Sequence, residues 1–390
     1  MTPRIDAGAV ARMRAWRHYL HANPELAYRE HDTADFVAAR LAEFGIGVER
    51  GLAGTGVVGT LHGRRGPGRR IGLRAELDAL PIREKTGLPH ASTRDGIMHA
   101  CGHDGHMAML LGAAEHLARD PDFAGSVVFI FQPAEENEGG AVRMVQEGLF
   151  ERHPVDAIYA VHNWPGLEHG AIAVKPGPMM ARFDTFEFTV TGQGGHAAMP
   201  QNLRDPVAAA SALVGALNTV ISRNIDPFEQ AVVSTTILSA GEVHNVVSDT
   251  VRVAGSVRSF EEEVQALIER RMAEIAAGIG AAHDVAIDLS YKRRFSVTEN
   301  SPREAELAQE AARAVVGAAA TKTAFRPSMG SEDFSEMLKV RPGAFAWIGA
   351  GGPAPNGGLH QAGYDFDDGL LGIGAAYFVA VVMQETGPAA

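Results

Sequence analysis

The stretch Met98-His99-Ala100-Cys101-Gly102-His103-Asp104-Gly105-His106 holds three histidines and the only cysteine of a 390-residue chain. A thiolate two residues from an imidazole, with glycine between, offers the sulfur and nitrogen ligands that zinc and similar transition metals take. The same residues also admit a cysteine nucleophile with His103 or His106 as its base. A small buried cysteine beside exposed histidines is the bland alternative.

Two further stretches favour the metal. Apolar residues 127–131 run straight into Gln132-Pro133-Ala134-Glu135-Glu136, and apolar residues 158–161 into His162-Asn163-Trp164-Pro165. Open α/β sheets place their sites just past the C-terminal ends of such strands. Adjacent carboxylates allow a division of labour, one binding metal and the other moving a proton; a solvated acidic loop is the alternative. The loop Gly357-Gly358-Leu359-His360 follows the apolar run 344–349, and its glycines either carry His360 to the site or make a loose turn. Asp78 ends another strand-like run and reads as a carboxylate that orients a ligand histidine from behind, or as a turn residue. Trp164 and Phe334 are aromatics that either line a pocket or pack in the core.

These residues need a scaffold. Residues 32–44 have helical spacing, with Gly45 placed as a C-terminal cap. Strand-like runs follow at 46–50, 56–61, 70–76, 126–131, 156–161 and 344–349, with helical patterns at 104–118 and 139–149. The alternation predicts an α/β layer with a mostly parallel central sheet flanked by helices. The middle differs: strand 186–191, a helix opened by Asp205-Pro206, strands 231–239 and 250–258, a helix after the capping box Ser259-Phe260-Glu261-Glu262, and a strand at 283–291. That order, βαββαβ, is ferredoxin-like. Ser301-Pro302-Arg303-Glu304 reads as another capping box. The expected organisation is a discontinuous catalytic domain, 1–183 and 295–390, carrying an inserted domain, 184–294.

Composition narrows the function. Hydrophobic residues are 46% and charged residues 21%, as in a globular protein, and the net charge of −12 argues against a nucleic-acid partner. One cysteine excludes an intrachain disulfide framework and suits a reducing compartment. The N-terminal stretch lacks a signal-peptide pattern and no run of 18 apolar residues occurs, so a cytoplasmic protein away from the membrane is expected. Gly54-Thr55-Gly56-Val57-Val58-Gly59 imitates a dinucleotide fingerprint, but no helix pattern follows to hold a pyrophosphate. A strand and hairpin are expected there instead.

Taken in order, these motifs resemble the zinc aminoacylase/carboxypeptidase superfamily, peptidase family M20, in its amidohydrolase branch of hippurate hydrolases, N-acyl-amino-acid amidohydrolases and auxin-conjugate hydrolases. The resemblance begins at His21-Ala22-Asn23-Pro24-Glu25-Leu26. It runs through Glu76-Leu77-Asp78-Ala79-Leu80-Pro81, the Cys101 stretch, Gln132–Glu136 and His162-Asn163-Trp164-Pro165. It continues in Gly192-Gln193-Gly194-Gly195-His196-Ala197-Ala198, Asn245-Val246-Val247-Ser248-Asp249 and Gly330-Ser331-Glu332-Asp333-Phe334, and ends at His360. The resemblance implies two divalent ions per subunit, zinc, manganese, cobalt or nickel, with Cys101 bridging. His103 and His162 would complete one site, and Glu136 and His360 the other. Glu135 would be the general base and Asp78 the orienting carboxylate. Glu76 stands where other branches carry a metal histidine. His196, on the inserted lid and dimerisation domain, would reach a partner's site and stabilise the oxyanion. Asn245 and Arg258 would hold a substrate carboxylate, with Ser331 beside them. Ser248 departs from a common proline.

The implied reaction is hydrolysis of an N-acyl-L-amino acid to a carboxylic acid and a free amino acid by a metal-activated water, in a homodimer or tetramer. A dipeptidase or carboxypeptidase acting on short peptides is the alternative. A cysteine hydrolase and a non-catalytic metal-binding protein are the readings from other classes; the first leaves Glu136, His162 and His360 without a purpose.

Overall fold

The computed structural model describes residues 5–136, 139–352 and 358–387. Two compact units emerge: Met1–Met179 with Thr298–Arg326 and Asp333–Ala390, and Met180–Val297 with Pro327–Glu332. The short segment 327–332, read from sequence as part of the first domain, joins the second unit. There the carbonyls of Ser328 and Gly330 both accept the Ala181 N–H, at 3.0 and 2.9 Å. No periodic pattern marks such a backbone clasp.

The first unit is built on an eight-stranded sheet. Its strand order is Gly47–Leu52, Gly56–His62, Ser126–Gln132, Arg70–Glu76, Ala157–Trp164, Gly343–Gly349, Ile172–Ala173, Thr321–Lys322. The middle four strands, Ser126–Gln132 to Gly343–Gly349, are mutually parallel. The first strand pairs antiparallel with the second, the second with the third, and Gly343–Gly349 with Ile172–Ala173. Thr321–Lys322 pairs parallel with Ile172–Ala173, so the sheet is mixed, with a parallel centre as expected and antiparallel strands added to it. Only residues 53–55 separate the first two strands, and a parallel pair needs a crossover of a dozen residues or more. The same hairpin disposes of the dinucleotide decoy: Gly54, at φ +92°, makes the turn and Gly56–His62 is strand.

Both faces of the central strands are buried, which explains their continuous apolar runs. Ile71, Leu73, Ala75, Val127, Phe129, Phe131, Ala157, Tyr159 and Val161 join the main core with helices His103–Arg119 and Leu371–Thr386. The alternate residues, Arg74, Glu76 and His162 among them, belong to the opposite face by the two-residue period of a strand. Asp368–Thr386 is long and apolar enough by composition to span a membrane, yet 72% of it is buried inside the protein. Its apolar surface is core surface, contacting helices His103–Arg119 and Pro302–Val316.

The second unit holds a four-stranded antiparallel sheet in the order Ala231–Ser239, Thr250–Ser259, Arg182–Thr191, Ala286–Phe295. Helices Pro206–Asn224 and Glu262–His283 bury Leu213, Leu217, Ile268 and Met272 in one core with Phe186, Phe188 and Val190. Asp205 caps the first helix by accepting the N–H groups of Val207 and Ala208, with Pro206 in the first turn, as its sequence predicts. Neither expected capping box forms. Ser259 pairs with Ala231 and Arg182 as the last residue of its strand, so the helix begins three residues later without a side-chain cap. The Ser301 hydroxyl instead accepts the Gly343 N–H at 3.2 Å.

Candidate metal centre

The candidate ligands gather where the parallel strands end. Arg70–Glu76 delivers Asp78 two residues past its end, Ser126–Gln132 delivers Glu135 and Glu136, and Ala157–Trp164 carries His162. Cys101 and His103 enter from the start of helix His103–Arg119. Gly102 makes that entry possible at φ +94°. A Cβ there would lie 2.4 Å from Asn163 Oδ1 and 2.7 Å from the Tyr364 hydroxyl, so the position excludes any other residue. His360 comes from a loop pinned by its own N–H to the Ala100 carbonyl at 2.8 Å. Gly357, read with that loop, lies outside the described residues.

Two ligand groups share the thiol. Cys101, His103 and His162 form one, and Cys101, Glu136 and His360 the other; within each, the ligand atoms lie within 4.8 Å of one another. Cys101 Sγ is 3.3 Å from both His162 Nε2 and His360 Nε2, and His360 Nε2 is 3.1 Å from Glu136 Oε1. The outer nitrogens are already committed. His162 Nδ1–H donates to the Asn163 carbonyl at 2.7 Å, and His103 Nδ1–H to the Asp78 carbonyl at 2.8 Å. Each Nε2 is left facing the group, and His103 Nε2 is buried with no hydrogen-bond partner among the described residues. A buried polar atom without a partner is costly. Thiol, three imidazoles and a carboxylate, with this unpartnered nitrogen, fit divalent transition ions, and the thiol is common to both groups. The Glu135 carboxylate joins His103 and Glu136 in a third group, its ligand atoms again within 4.8 Å of one another.

Electrostatics support ligation over nucleophilic attack. Burial, with the negative charges of Glu136 and Glu135, pushes the Cys101 thiol well above its usual range. A catalytic thiol needs the opposite shift, and a cation is what would make this one a thiolate. Burial opposes protonation of His103, but the Asp78 hydrogen bond and the charges of Glu76, Asp78 and Glu136 outweigh it and hold its pKa at about 10, so a cation binding at Nε2 would have to displace a proton. Burial, reinforced by His106, keeps His162 neutral. Asp78 is wholly buried. Its Oδ2 accepts the Glu136 N–H at 2.9 Å and its Oδ1 lies 3.5 Å from His103 Nδ1. Burial raises its pKa, yet His103 and the amides of Glu136 and Glu135 hold it below the ordinary value.

A buried polar layer behind the ligands has no clear mark in the sequence. His106 Nδ1 is 2.8 Å from Glu76 Oε2, and its Nε2 is 2.8 Å from Asn163 Oδ1. Glu76 also pairs with Arg74, whose guanidinium reaches Gln132 at 2.8 Å and Asp333 at 3.0 Å. His106, read from sequence as a possible base for a cysteine nucleophile, lies one helical turn after His103. Behind Cys101, Asp104 Oδ2 accepts from Arg17 and lies 2.8 Å from His21 Nδ1, which gives the His21 motif a place against the ligand helix. Burial works against charge on His21, but Asp104 and Glu84 raise its pKa to about 9. Phe334 packs in the core against Phe345, whereas Trp164 is half-buried and stacked on Trp347 at 4.1 Å.

The remaining candidates belong to the second unit, where they form two pairs. His196 and Asn245 are exposed neighbours: Val246 pairs with His196 across two short strands, and the Ala197 N–H donates to the Asn245 carbonyl at 3.0 Å. His196 Nδ1 accepts the Ala198 N–H at 3.1 Å, so in the neutral ring the proton sits on Nε2. Arg258 is half-buried, stacks 4.0 Å from the Phe183 ring centroid and donates to the Ser331 hydroxyl. Burial pushes its pKa down.

Residues 72–384 match peptidase family M20/M25/M40. The chain belongs to this family. It is an M20 hydrolase of the amidohydrolase branch. It is 39% identical over 368 residues to a hippurate hydrolase from Campylobacter jejuni, covering 94% of this chain and 95% of that one. It is 42% identical over 296 residues to an N-acyl-L-amino acid amidohydrolase from Geobacillus stearothermophilus, covering 74% and 79%. Among solved structures, a Bacillus subtilis protein described as a dinuclear metal binding peptidase of the M20 family superposes with TM-score 0.81 at 34% identity, over 98% of this chain and all of that one.

Proposed function

We propose that this M20 hydrolase cleaves the amide bond of N-acyl-L-amino acids, releasing a carboxylic acid and a free amino acid. The observation that carries the reading is the thiol of Cys101 shared by two ligand groups, with the Glu135 carboxylate against them. Cys101, His103 and His162 would hold one divalent ion, and Cys101, Glu136 and His360 the other; bound there, the pair supplies Lewis acidity and lowers the pKa of water. Glu135 takes the proton of the attacking water and returns it to the leaving nitrogen as the C–N bond breaks, a role that contributes about 100- to 10,000-fold. Asp78 fixes His103 and the Glu136 backbone. His196 donates from Nε2 to the oxyanion in a partner's site, and Arg258, steadied by Ser331 and Phe183, grips the substrate carboxylate with Asn245.

The wider organisation belongs to the same reading. The strand order of the second unit and its two helices suit a ferredoxin-like lid and dimerisation domain, inserted in a discontinuous catalytic domain, and the enzyme acts as a cytoplasmic homodimer. The free thiol of Cys101 is consistent with a reducing compartment.

The test is amino-acid release from N-benzoyl-, N-acetyl- and indoleacetyl-amino acids and from dipeptides, by chelator-treated enzyme before and after adding Zn²⁺, Mn²⁺, Co²⁺ or Ni²⁺. Metal-restored release from the acyl-amino acids is expected. Release only from dipeptides would replace the substrate class. Release that survives chelation and is abolished by thiol alkylation would replace the mechanism with a cysteine nucleophile.

A further inference from the structure

Glu30 is fully buried, yet no basic side chain pairs with it among the described residues. Its two oxygens accept instead from a neutral hydroxyl and an amide: Oε2 from Thr55 Oγ1 at 2.6 Å, and Oε1 from the Ala134 N–H at 2.9 Å. Burial pushes the carboxyl's pKa up, and these two hydrogen bonds oppose the rise. A carboxylate held this way is expensive to keep in a core, so its geometry deserves a reason beyond packing.

The reason lies one residue from Glu135. Ala134 is in the left-handed conformation, φ +56°, which a residue with a Cβ rarely adopts. Such a residue persists only where its surroundings over-determine it. Here the N–H is held by Glu30 and the carbonyl accepts the Gly140 N–H at 3.0 Å. Ala134 is thereby pinned on both sides, and the backbone reverses into Glu135 and Glu136. Downstream, Asp78 holds the Glu136 N–H and Asp333 holds the Ala141 N–H, each at 2.9 Å. Of the side chains among these anchors, Glu30 is the one on the residue that immediately precedes Glu135, while Asp78 acts on the amides of Glu135 and Glu136.

We infer that Glu30 is a positioning residue for the reaction: it fixes the left-handed Ala134 and so aims the Glu135 carboxylate. Glu30 touches neither substrate nor ligand. Its effect passes through backbone, and it rests on the reading of Glu135 as the base. Displacing a catalytic group by about 1 Å costs roughly 100-fold in rate.

The experiment compares Glu30→Ala, Glu30→Gln and Glu30→Asp in the full-length enzyme loaded with Zn²⁺ or Mn²⁺. Initial rates are measured on whichever acyl-amino acid the wild type hydrolyses, and metal content and melting midpoint are measured on the same samples. Glutamine keeps an acceptor oxygen at the right reach, so Glu30→Gln is expected to stay within about fivefold of wild-type kcat. Glu30→Ala is expected to lose about 100-fold in kcat, with KM within about threefold and two ions still bound. Should the alanine variant not fold, Glu30→Asp, one methylene shorter, carries the comparison and is expected to lose at least tenfold more kcat than Glu30→Gln. The inference is overturned if a folded Glu30→Ala keeps kcat within threefold, if glutamine falls as far as alanine or aspartate, or if the loss tracks metal content. A wild type that releases nothing from any acyl-amino acid overturns the proposed function instead, and the two failures are distinct.

Discussion

Asp78 offers the sharpest test of how the candidate centre is held together. Its carboxylate accepts the Glu136 N–H at 2.9 Å and faces His103 Nδ1 at 3.5 Å, fully buried. Asp78→Asn preserves an acceptor for the Glu136 amide but removes the charge. A charged hydrogen bond contributes about 1.5–3 kcal/mol and a neutral one about 0.5–1.5, so the change costs roughly 1–1.5 kcal/mol. At about 1.4 kcal/mol per decade, that is close to tenfold in metal affinity. Asp78→Ala removes the acceptor as well and leaves the amide unpaired, for a loss of about 2–3 kcal/mol, or roughly 100-fold. Both values fall within the 10- to 100-fold typical of groups that orient metal ligands from behind. The assay is competition for Zn²⁺ against a chromophoric chelator, with melting midpoints of the metal-free proteins as the control for folding. The expected order is wild type, then Asn, then Ala. An alanine variant that binds within threefold of wild type would refute the orienting role; an asparagine variant as weak as alanine would show that charge alone, not the hydrogen bond, sets the affinity.

Other outcomes follow from the same geometry. Glu135→Gln should lower kcat by about 100- to 10,000-fold while two ions per chain remain by elemental analysis; retention of more than a tenth of wild-type kcat would remove Glu135 from the mechanism. Arg258→Lys should raise KM for acyl-amino acids about tenfold or more, because an ammonium cannot make two parallel bonds to a carboxylate, and an unchanged KM would place the carboxylate elsewhere. His21 supplies a pH dependence. Its folded pKa of about 9 lies above the ordinary 6.5, so its stabilisation is fully present below about pH 6.5 and disappears as pH rises toward 9. A gap of roughly 2.5 units corresponds to about 3 kcal/mol. Urea unfolding of wild type and His21→Gln should therefore differ by about that much more at pH 6 than at pH 9.5, and a difference that does not change with pH would mean that His21 is not charged in the fold.

Sequence alone determined what neighbours along the chain decide. Asp205-Pro206 states a helix start because the cap and the groups it caps lie within three residues, and it forms as read. The apolar runs at 126–131 and 156–161 announce strands buried on both sides, and their polar ends put Glu135, Glu136 and His162 at one edge of the sheet. The candidate ligands were therefore legible by residue type and order. Their convergence was not. That Cys101 stands between His162 and His360, 61 and 259 residues away, follows from strand order and a loop pinned to Ala100. The capping boxes at Ser259 and Ser301 failed because sheet pairing and the Gly343 amide claimed those serines. The mixed sheet depends on which strands meet. Glu30 was silent in the sequence, and His106 was read there only as a possible base for a cysteine nucleophile, because their partners, Ala134, Glu76 and Asn163, are distant along the chain and only the tertiary fold brings them within hydrogen-bond reach. Local pattern reports local forces, whereas burial and long-range pairing decide which polar groups must satisfy one another.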